Sequence, residues 1–178
     1  MLDAHKLHCY FCVLAPTINC PTDIIFVVDQ SGSIDRSEFN LTKRFLSHLV
    51  GRLDIDSGTT RVGLVKFGTT VTPIFYLNTY SSVASVQSAI SRLTSAGGFT
   101  NTAAALSRVR TSMLTSVRGD RHSAPNVVVV FTDGASDSRS ATQVCTLLNC
   151  FSKSFEPGQY CWWIRQKNEI LWQYGVTV

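Results

Sequence analysis

The chain has 178 residues, of which 44% are hydrophobic and 16% charged, and its formal net charge is +4. This composition excludes extended disorder, and the scattered basic residues exclude a nucleic-acid-binding arm. No apolar run in the sequence approaches the roughly 18 residues of a membrane span, so we expect no membrane-spanning segment. The length of the chain suits a single globular domain.

The six cysteines lie near the two ends of the chain, at positions 9, 12, 20, 145, 150 and 161. This placement predicts disulfides that clamp the ends of an extracellular module, with their connectivity left open. Residues 1–20 are predicted to be a leader or linker, because a short apolar run follows Lys6. The alternative is a zinc site, although its ligands would crowd into eight residues: His5, His8, Cys9 and Cys12.

The first elements of the chain are a buried strand and an amphipathic helix. Residues 24–28 are β-branched and aromatic, which predicts a strand buried on both faces. Asp35 and Glu38 have the spacing of a capping box and begin a helix that ends near Gly51. This order of elements is typical of an α/β sheet.

A hairpin and two further helices follow. Residues 61–67 and 71–76 predict antiparallel strands, because only three residues connect them. Pro73 makes the second of these an edge strand, because proline cannot donate to a sheet. Apolar residues at helical spacing then predict helices around residues 83–93 and 106–113.

Two fully apolar strands end on polar residues. Asp29, Ser31 and Ser33 follow the first strand, and Asp133 follows the second, at residues 127–131. In open α/β sheets, ligands bind at the carboxyl ends of the strands. If these two strands are neighbours, Asp29 and Asp133 meet at that edge.

The polar residues favour cation binding over catalysis. Thr100, in a glycine-rich loop before the third helix, adds a hydroxyl to the two serines and two carboxylates. Such oxygen donors suit Mg²⁺ or Mn²⁺, and an ion held by only two acids still attracts a partner's carboxylate. We expect no enzyme, because the sequence has no nucleophile elbow or phosphate-binding loop, and His122 has no evident partner. A metal-dependent hydrolase would need a general base that the sequence does not provide.

Together these motifs resemble the metal-ion-dependent adhesion site of von Willebrand factor type A domains. The resemblance comprises Asp-x-Ser-x-Ser at residues 29–33, Thr100 in Gly-Gly-Phe-Thr-Asn-Thr and Asp133 in Phe-Thr-Asp-Gly, and it extends from about Cys20 to Gln143. It implies a Rossmann-like α/β fold: an open, mostly parallel sheet with one antiparallel edge strand and helices on both faces.

The resemblance also implies a role for each motif residue. Ser31, Ser33 and Thr100 would supply hydroxyl ligands to Mg²⁺ or Mn²⁺ and form the ligand-binding site, while Asp29 and Asp133 would act directly or through water. The implied function is a secreted adhesion or matrix module. Its partner would present a carboxylate on collagen, another matrix protein or a cell-surface receptor. The alternatives are an intracellular assembly subunit with the same fold and a truncated product that does not bind.

Residues 144–173 depart from the family pattern, being rich in cysteine and tryptophan. We interpret them as an insertion, or as the product of an altered gene model, in a domain at residues 21–178 that lacks the family's closing strand and helix. Partial helical periodicity at residues 161–172 suggests a helix covering the sheet, with an unpacked tail as the alternative. Residues 174–178 predict the start of another strand.

Two short motifs have weaker implications. The sequon Asn40-Leu41-Thr42 predicts glycosylation at Asn40, consistent with secretion. The tripeptide Arg118-Gly119-Asp120 is found in integrin ligands, but a tripeptide is a poor signal. We interpret it as an ordinary connecting loop.

Overall fold

A mixed sheet organises the chain, of which the computed structural model describes residues 21–132 and the backbone of residues 160–165. The described strands are β1 (Thr22–Asp29), β2 (Thr60–Phe67), β3 (Val71–Phe75), β4 (Asn126–Thr132) and β5 (Tyr160–Arg165). They lie in the order β3-β2-β1-β4-β5. The described helices are α1 (Arg36–Val50), α2 (Val83–Ser91) and α3 (Thr102–Arg108). None of these helices is long and apolar enough to span a membrane.

The sheet is parallel except at one edge. β1 pairs in parallel with both β2 and β4, and Val28 lies opposite Lys66 on one side and Phe131 on the other. β3 runs antiparallel to β2 at the edge, where Pro73 lies opposite Val65. The predicted α/β architecture and the edge position of Pro73 are therefore confirmed, and the two apolar strands, β1 and β4, are neighbours.

Side-chain alternation along β1 sends apolar groups to both faces of the sheet, because successive residues of a strand point to opposite sides. Phe26 and Val28 lie in the core that includes α1 and α2. Ile25 and Val27 lie in the core that includes α3. Helices on both faces bury β1 completely, so its carboxyl end is held on a rigid support.

The predicted start of the first helix is confirmed. Asp35 caps α1, and the reciprocal bonds of a capping box join it to Glu38. The third predicted helix differs in detail, because α3 ends at Arg108 and continues as a π-helical turn, Val109–Met113. In this turn the Leu114 amide bonds the Val109 carbonyl, at 3.0 Å.

The helix suggested for residues 161–172 was wrong over its first part, because residues 160–165 form β5. This strand is parallel to β4, with Tyr160 opposite Val127 and Arg165 opposite Thr132. Its composition, Tyr-Cys-Trp-Trp-Ile-Arg, favours a strand, and the open edge of β4 offers unpaired backbone groups to bond it. The other predictions for residues 144–173, for residues 1–20 and 174–178 and for the cysteine side chains fall outside the described residues.

Candidate metal centre

The carboxylate of Asp29 lies buried at the end of β1, with 1% of the residue exposed. The Ser31 backbone N–H donates to its Oδ1 at 2.8 Å. The Thr132 hydroxyl donates to its Oδ2 at 2.7 Å. Both oxygens are thus oriented by neutral donors from two different segments.

Two serine hydroxyls lie side by side immediately after Asp29. The Oγ atoms of Ser31 and Ser33 are 3.1 Å apart, and the Ile34 N–H closes the turn on the Ser31 carbonyl at 3.1 Å. Adjacent ligands of a Mg²⁺ octahedron with bonds of about 2.1 Å lie about 3 Å apart. The observed separation therefore suits two neighbouring positions around one such ion.

The glycine-rich loop that carries Thr100 packs against this turn. The Gly32 N–H donates to the Gly98 carbonyl at 2.8 Å, and the Phe99 N–H donates to the Thr69 hydroxyl at 3.0 Å. Gly98 has a φ of 101°, which only glycine adopts without strain. The loop therefore brings Thr100, with 6% exposed, beside the serine turn.

The residues that lead into this loop, 93–95, are held by three hydrogen bonds. Lys43 of α1 donates to the Leu93 carbonyl, and Lys66 of β2 donates to the Thr94 carbonyl, each at 2.9 Å. The Ser95 hydroxyl donates to the carbonyl of Gln30 at 3.2 Å. The loop's position thus depends on α1, on β2 and on the residue that follows β1.

The residues present fit a hard divalent cation. A buried carboxylate is costly unless a charge or strong bonds compensate it, and a cation beside Asp29 would add that compensation. The hydroxyls of Ser31 and Ser33 are hard oxygen donors of the type that Mg²⁺ and Mn²⁺ take. The structure brings Asp29, Ser31 and Ser33 together and places the Thr100 loop against them, whereas Asp133 lies outside the described residues. Their assignment as ligands stays a prediction.

Sequence reasoning missed two hydroxyls that hold the site. Thr132 orients Asp29, and Thr69 fixes the backbone beside Thr100. Thr132 could have been found, because it precedes Asp133 and a parallel β1–β4 register places it beside Asp29. Thr69 has no such signal, since its partner Phe99 is 30 residues away and in an irregular loop.

The two short motifs lie elsewhere on the domain. Asn40 is exposed on α1, and the Thr42 hydroxyl of its sequon bonds the Glu38 carbonyl at 3.1 Å. Glycosylation at Asn40 stays a prediction. In the tripeptide at residues 118–120, the Arg118 guanidinium lies over the Tyr76 ring, 4.1 Å from its centroid. This contact suits a packed connecting loop.

Comparisons with known sequences agree on one family. The family model for the von Willebrand factor type A domain matches residues 23–153. Mouse matrilin-1 is 41% identical over 117 residues, which cover 64% of this chain and 23% of matrilin-1. Mouse vitrin is 36% identical over 116 residues, which cover 65% of this chain and 18% of vitrin. The match thus spans less than a quarter of either relative.

Solved structures show the same fold. Proximal thread matrix protein 1 from the mussel byssus superposes with a TM-score of 0.73 at 22% identity, covering 82% of this chain and 38% of that one. That structure has a zinc-occupied MIDAS motif. Manganese-loaded Plasmodium vivax TRAP protein gives a TM-score of 0.70 at 22% identity, covering 85% of this chain and 59% of that one. With the sheet order described above and the family match over residues 23–153, this chain belongs to the von Willebrand factor type A domain family.

Proposed function

We propose that this chain is an extracellular adhesion module that binds a protein partner through a divalent cation, Mg²⁺ or Mn²⁺. The ligands would be the hydroxyls of Ser31, Ser33 and Thr100, with Asp29 and Asp133 acting directly or through water. The observation that carries the proposal is the pair of serine hydroxyls, 3.1 Å apart, beside the buried Asp29 carboxylate. The partner would present a carboxylate, on collagen, another matrix protein or a receptor.

The relatives support this setting and this chemistry. Matrilin-1, vitrin and a collagen alpha-4(VI) chain are among them, which supports an extracellular matrix location. The zinc and manganese named for the two structural neighbours support a divalent ion. When bound, the cation would supply the positive charge that attracts the partner's carboxylate.

The chain's own residues would hold this site ready. Ser31 N–H and Thr132 Oγ fix the Asp29 carboxylate, so little ordering is needed when an ion arrives. The exposed Ser33 and the buried Ser31 present one hydroxyl at the surface and one below it. Such preorganisation raises affinity by lowering the entropy lost on binding.

We include no catalytic step in the proposal. The two histidines of the described ranges lie away from Asp29: His48 is in the last turn of α1, and His122 follows Arg121, which contacts the start of β1. A general base must lie within hydrogen-bond reach of the proton it takes. Neither histidine is placed for that role.

The test is binding of the whole chain to immobilised collagens and other matrix proteins, in Mg²⁺ and then in EDTA. Ser33→Ala removes one hydroxyl at an exposed position, and Ser91→Ala, at the exposed end of α2, is the matched control. We expect EDTA to abolish binding. We also expect Ser33→Ala to weaken Mn²⁺ affinity, measured by calorimetry, by about tenfold or more. Binding that persists in EDTA and in Ser33→Ala would contradict the proposal.

A further inference from the structure

Helix α1 exposes two large apolar side chains that lie one turn apart. Leu41 is 55% exposed and Phe45 is 49% exposed, and residues four apart on a helix are neighbours on its surface. The other exposed large apolar side chains of the described ranges, Phe99 and Val117, lie before α3 and after the π-helical turn. Leu41 and Phe45 therefore form a contiguous apolar patch, the α1 patch, of the kind that marks a contact surface.

The α1 patch lies on the half of the helix that faces away from the core. At about 100° per residue, Leu41 and Phe45 point to the opposite half from the buried residues of the helix, which are Phe39, Thr42, Leu46 and Val50. On one side the Phe45 ring contacts the edge of the Phe131 ring of β4, with centroids 5.9 Å apart. The patch is thus held on a packed helix, so covering it costs little ordering of the chain.

The polar residues that flank the α1 patch have a symmetrical spacing. Glu38 lies three residues before Leu41, and His48 lies three residues after Phe45. Steps of three and four residues return to the same side of a helix, so these four residues share one face. The order of acid, apolar, apolar and histidine has spacings of three, four and three, which are the same in both directions. This face is therefore complementary to an antiparallel copy of itself.

We infer that the α1 patch binds a second copy of this chain, with the two α1 helices antiparallel about a two-fold axis. A two-fold axis makes every contact twice, so Leu41 of each copy lies against Phe45 of the other. In the same register, the Glu38 carboxylate of each copy accepts from His48 of the other, because an imidazole carries at least one N–H in either protonation state. The antiparallel arrangement also sets the helix dipoles in opposite directions, which is favourable.

The contact is small, and its edge is polar. With 15 residues, α1 is about 22 Å long, which is short for a standard interface of about 800 Å² per partner. We therefore expect a dimer that dissociates on dilution. Asn40 and Arg44 are exposed beside the patch. The Arg44 side chain is long enough to direct its charge into water, whereas a glycan at Asn40 would lie at the edge of the contact.

The test is sedimentation velocity of the whole chain over a range of concentrations. It is carried out in EDTA, so its result does not depend on the proposed cation binding. The chain is measured as secreted and as Asn40→Gln, which prevents glycosylation. Leu41→Ser removes the centre of the patch, and Val117→Ser is the matched control, because Val117 is 81% exposed and lies in another part of the chain. His48→Glu and His48→Lys test the antiparallel register.

We expect a concentration-dependent dimer whose dissociation constant rises about tenfold or more in Leu41→Ser, because an apolar anchor is lost from both copies. Val117→Ser should leave it unchanged. His48→Glu should weaken the dimer by about fivefold, because acids then face each other at two symmetrical positions, whereas His48→Lys should not weaken it. A dimer seen with Asn40→Gln alone would support the inference, with the glycan as the obstacle.

A chain that stays monomeric both as secreted and as Asn40→Gln would overturn the inference. A dimer that Leu41→Ser leaves intact, or one that His48→Glu and His48→Lys weaken equally, would overturn it as well. Urea unfolding of Leu41→Ser at a concentration where the chain is monomeric gives an independent measurement. A loss of stability there as large as that for a buried leucine would show that other residues of the same chain cover the patch, which also contradicts the inference.

Discussion

The Thr132 hydroxyl of β4 donates a hydrogen bond of 2.7 Å to Oδ2 of Asp29 on β1. It links the carboxyl ends of two adjacent parallel strands across 103 residues of sequence. Because Ser31 N–H bonds the other oxygen, both oxygens of this buried carboxylate have a fixed direction. The orientation of Asp29 is therefore set by β4 and by the turn that follows β1.

The Asp29–Thr132 bond should contribute to both stability and cation binding. Thr132→Val keeps the side-chain shape and removes the hydroxyl, so the buried Asp29 carboxylate loses a donor. We expect the free energy of unfolding to fall by about 2 kcal/mol, the range for hydrogen bonds to charged groups, and Mn²⁺ affinity to weaken. Urea unfolding and calorimetry measure the two effects. Thr132→Ser should retain most of both, and a Thr132→Val protein that matches the wild type would show that the bond is unimportant.

Two adjacent glycines of the loop that carries Thr100 should differ in their tolerance of alanine. Both have positive φ, 73° at Gly97 and 101° at Gly98. A Cβ at Gly97 would meet nothing within 4 Å, whereas one at Gly98 would collide with the Thr69 side chain. Gly97→Ala should therefore cost about 1–2 kcal/mol of backbone strain, and Gly98→Ala should cost more.

The Gly98→Ala variant should also displace the loop and weaken Mn²⁺ binding, whereas Gly97→Ala should leave Mn²⁺ affinity nearly unchanged. Thermal unfolding and calorimetry on the pair separate the two effects. Equal behaviour of the two variants would mean that the Thr69 contact does not position the loop.

The opposite end of the sheet depends on Arg121. Its backbone N–H and Nε donate to the Asp23 carboxylate at 2.7 and 2.9 Å, and its guanidinium also bonds the carbonyls of Thr22, Gly58 and Thr59. Asp23 is fully buried, so Arg121→Ala leaves a buried charge without its partner. We expect a loss of about 3–5 kcal/mol in the free energy of unfolding.

Arg110 provides the comparison for this prediction, because it is exposed on the π-helical turn. Arg110→Ala should change the free energy of unfolding by no more than about 0.5 kcal/mol. Urea unfolding at neutral pH measures both variants. Equal, small effects would show that the Arg121 contacts contribute little.

The pH dependence of stability should reveal the burial of Asp23. Desolvation raises the pKa of Asp23 above its ordinary value of 3.8, and this effect outweighs the bonds from Arg121, which lower it. Between 3.8 and the raised pKa, the folded chain therefore binds more protons at this residue than the unfolded chain does. The contribution of Asp23 to stability is greatest below this window and declines as the pH rises through it.

The variant Asp23→Asn removes this titration. Relative to Asp23→Asn, the wild type should therefore lose stability as the pH rises from about 4 towards neutrality, with the difference constant above the raised pKa. Urea unfolding of both proteins across this range measures the difference. A wild type that gains stability relative to Asp23→Asn over the same range would mean that Arg121 lowers the pKa of Asp23.

Most of the local structure was predictable because its causes are local. The apolar run at residues 24–28, the Asp35–Glu38 capping box and the edge proline Pro73 each act over a few residues, and each prediction was confirmed. The burial of β1 and β4 also followed from pattern, since fully apolar strands need cover on both faces. The family, too, was evident from three short motifs.

Contacts between distant segments were decided only by the tertiary structure. The sequence by itself determined that Asp29, Ser31 and Ser33 follow the carboxyl end of a buried strand. Only packing decided that Thr132 orients Asp29, that Thr69 fixes the loop beside Thr100, and that residues 160–165 pair with β4 as a strand. The reason is that a hydroxyl or a strand edge finds its partner by position in space, which depends on strand register and loop conformation, and spacing along the chain alone fixes neither.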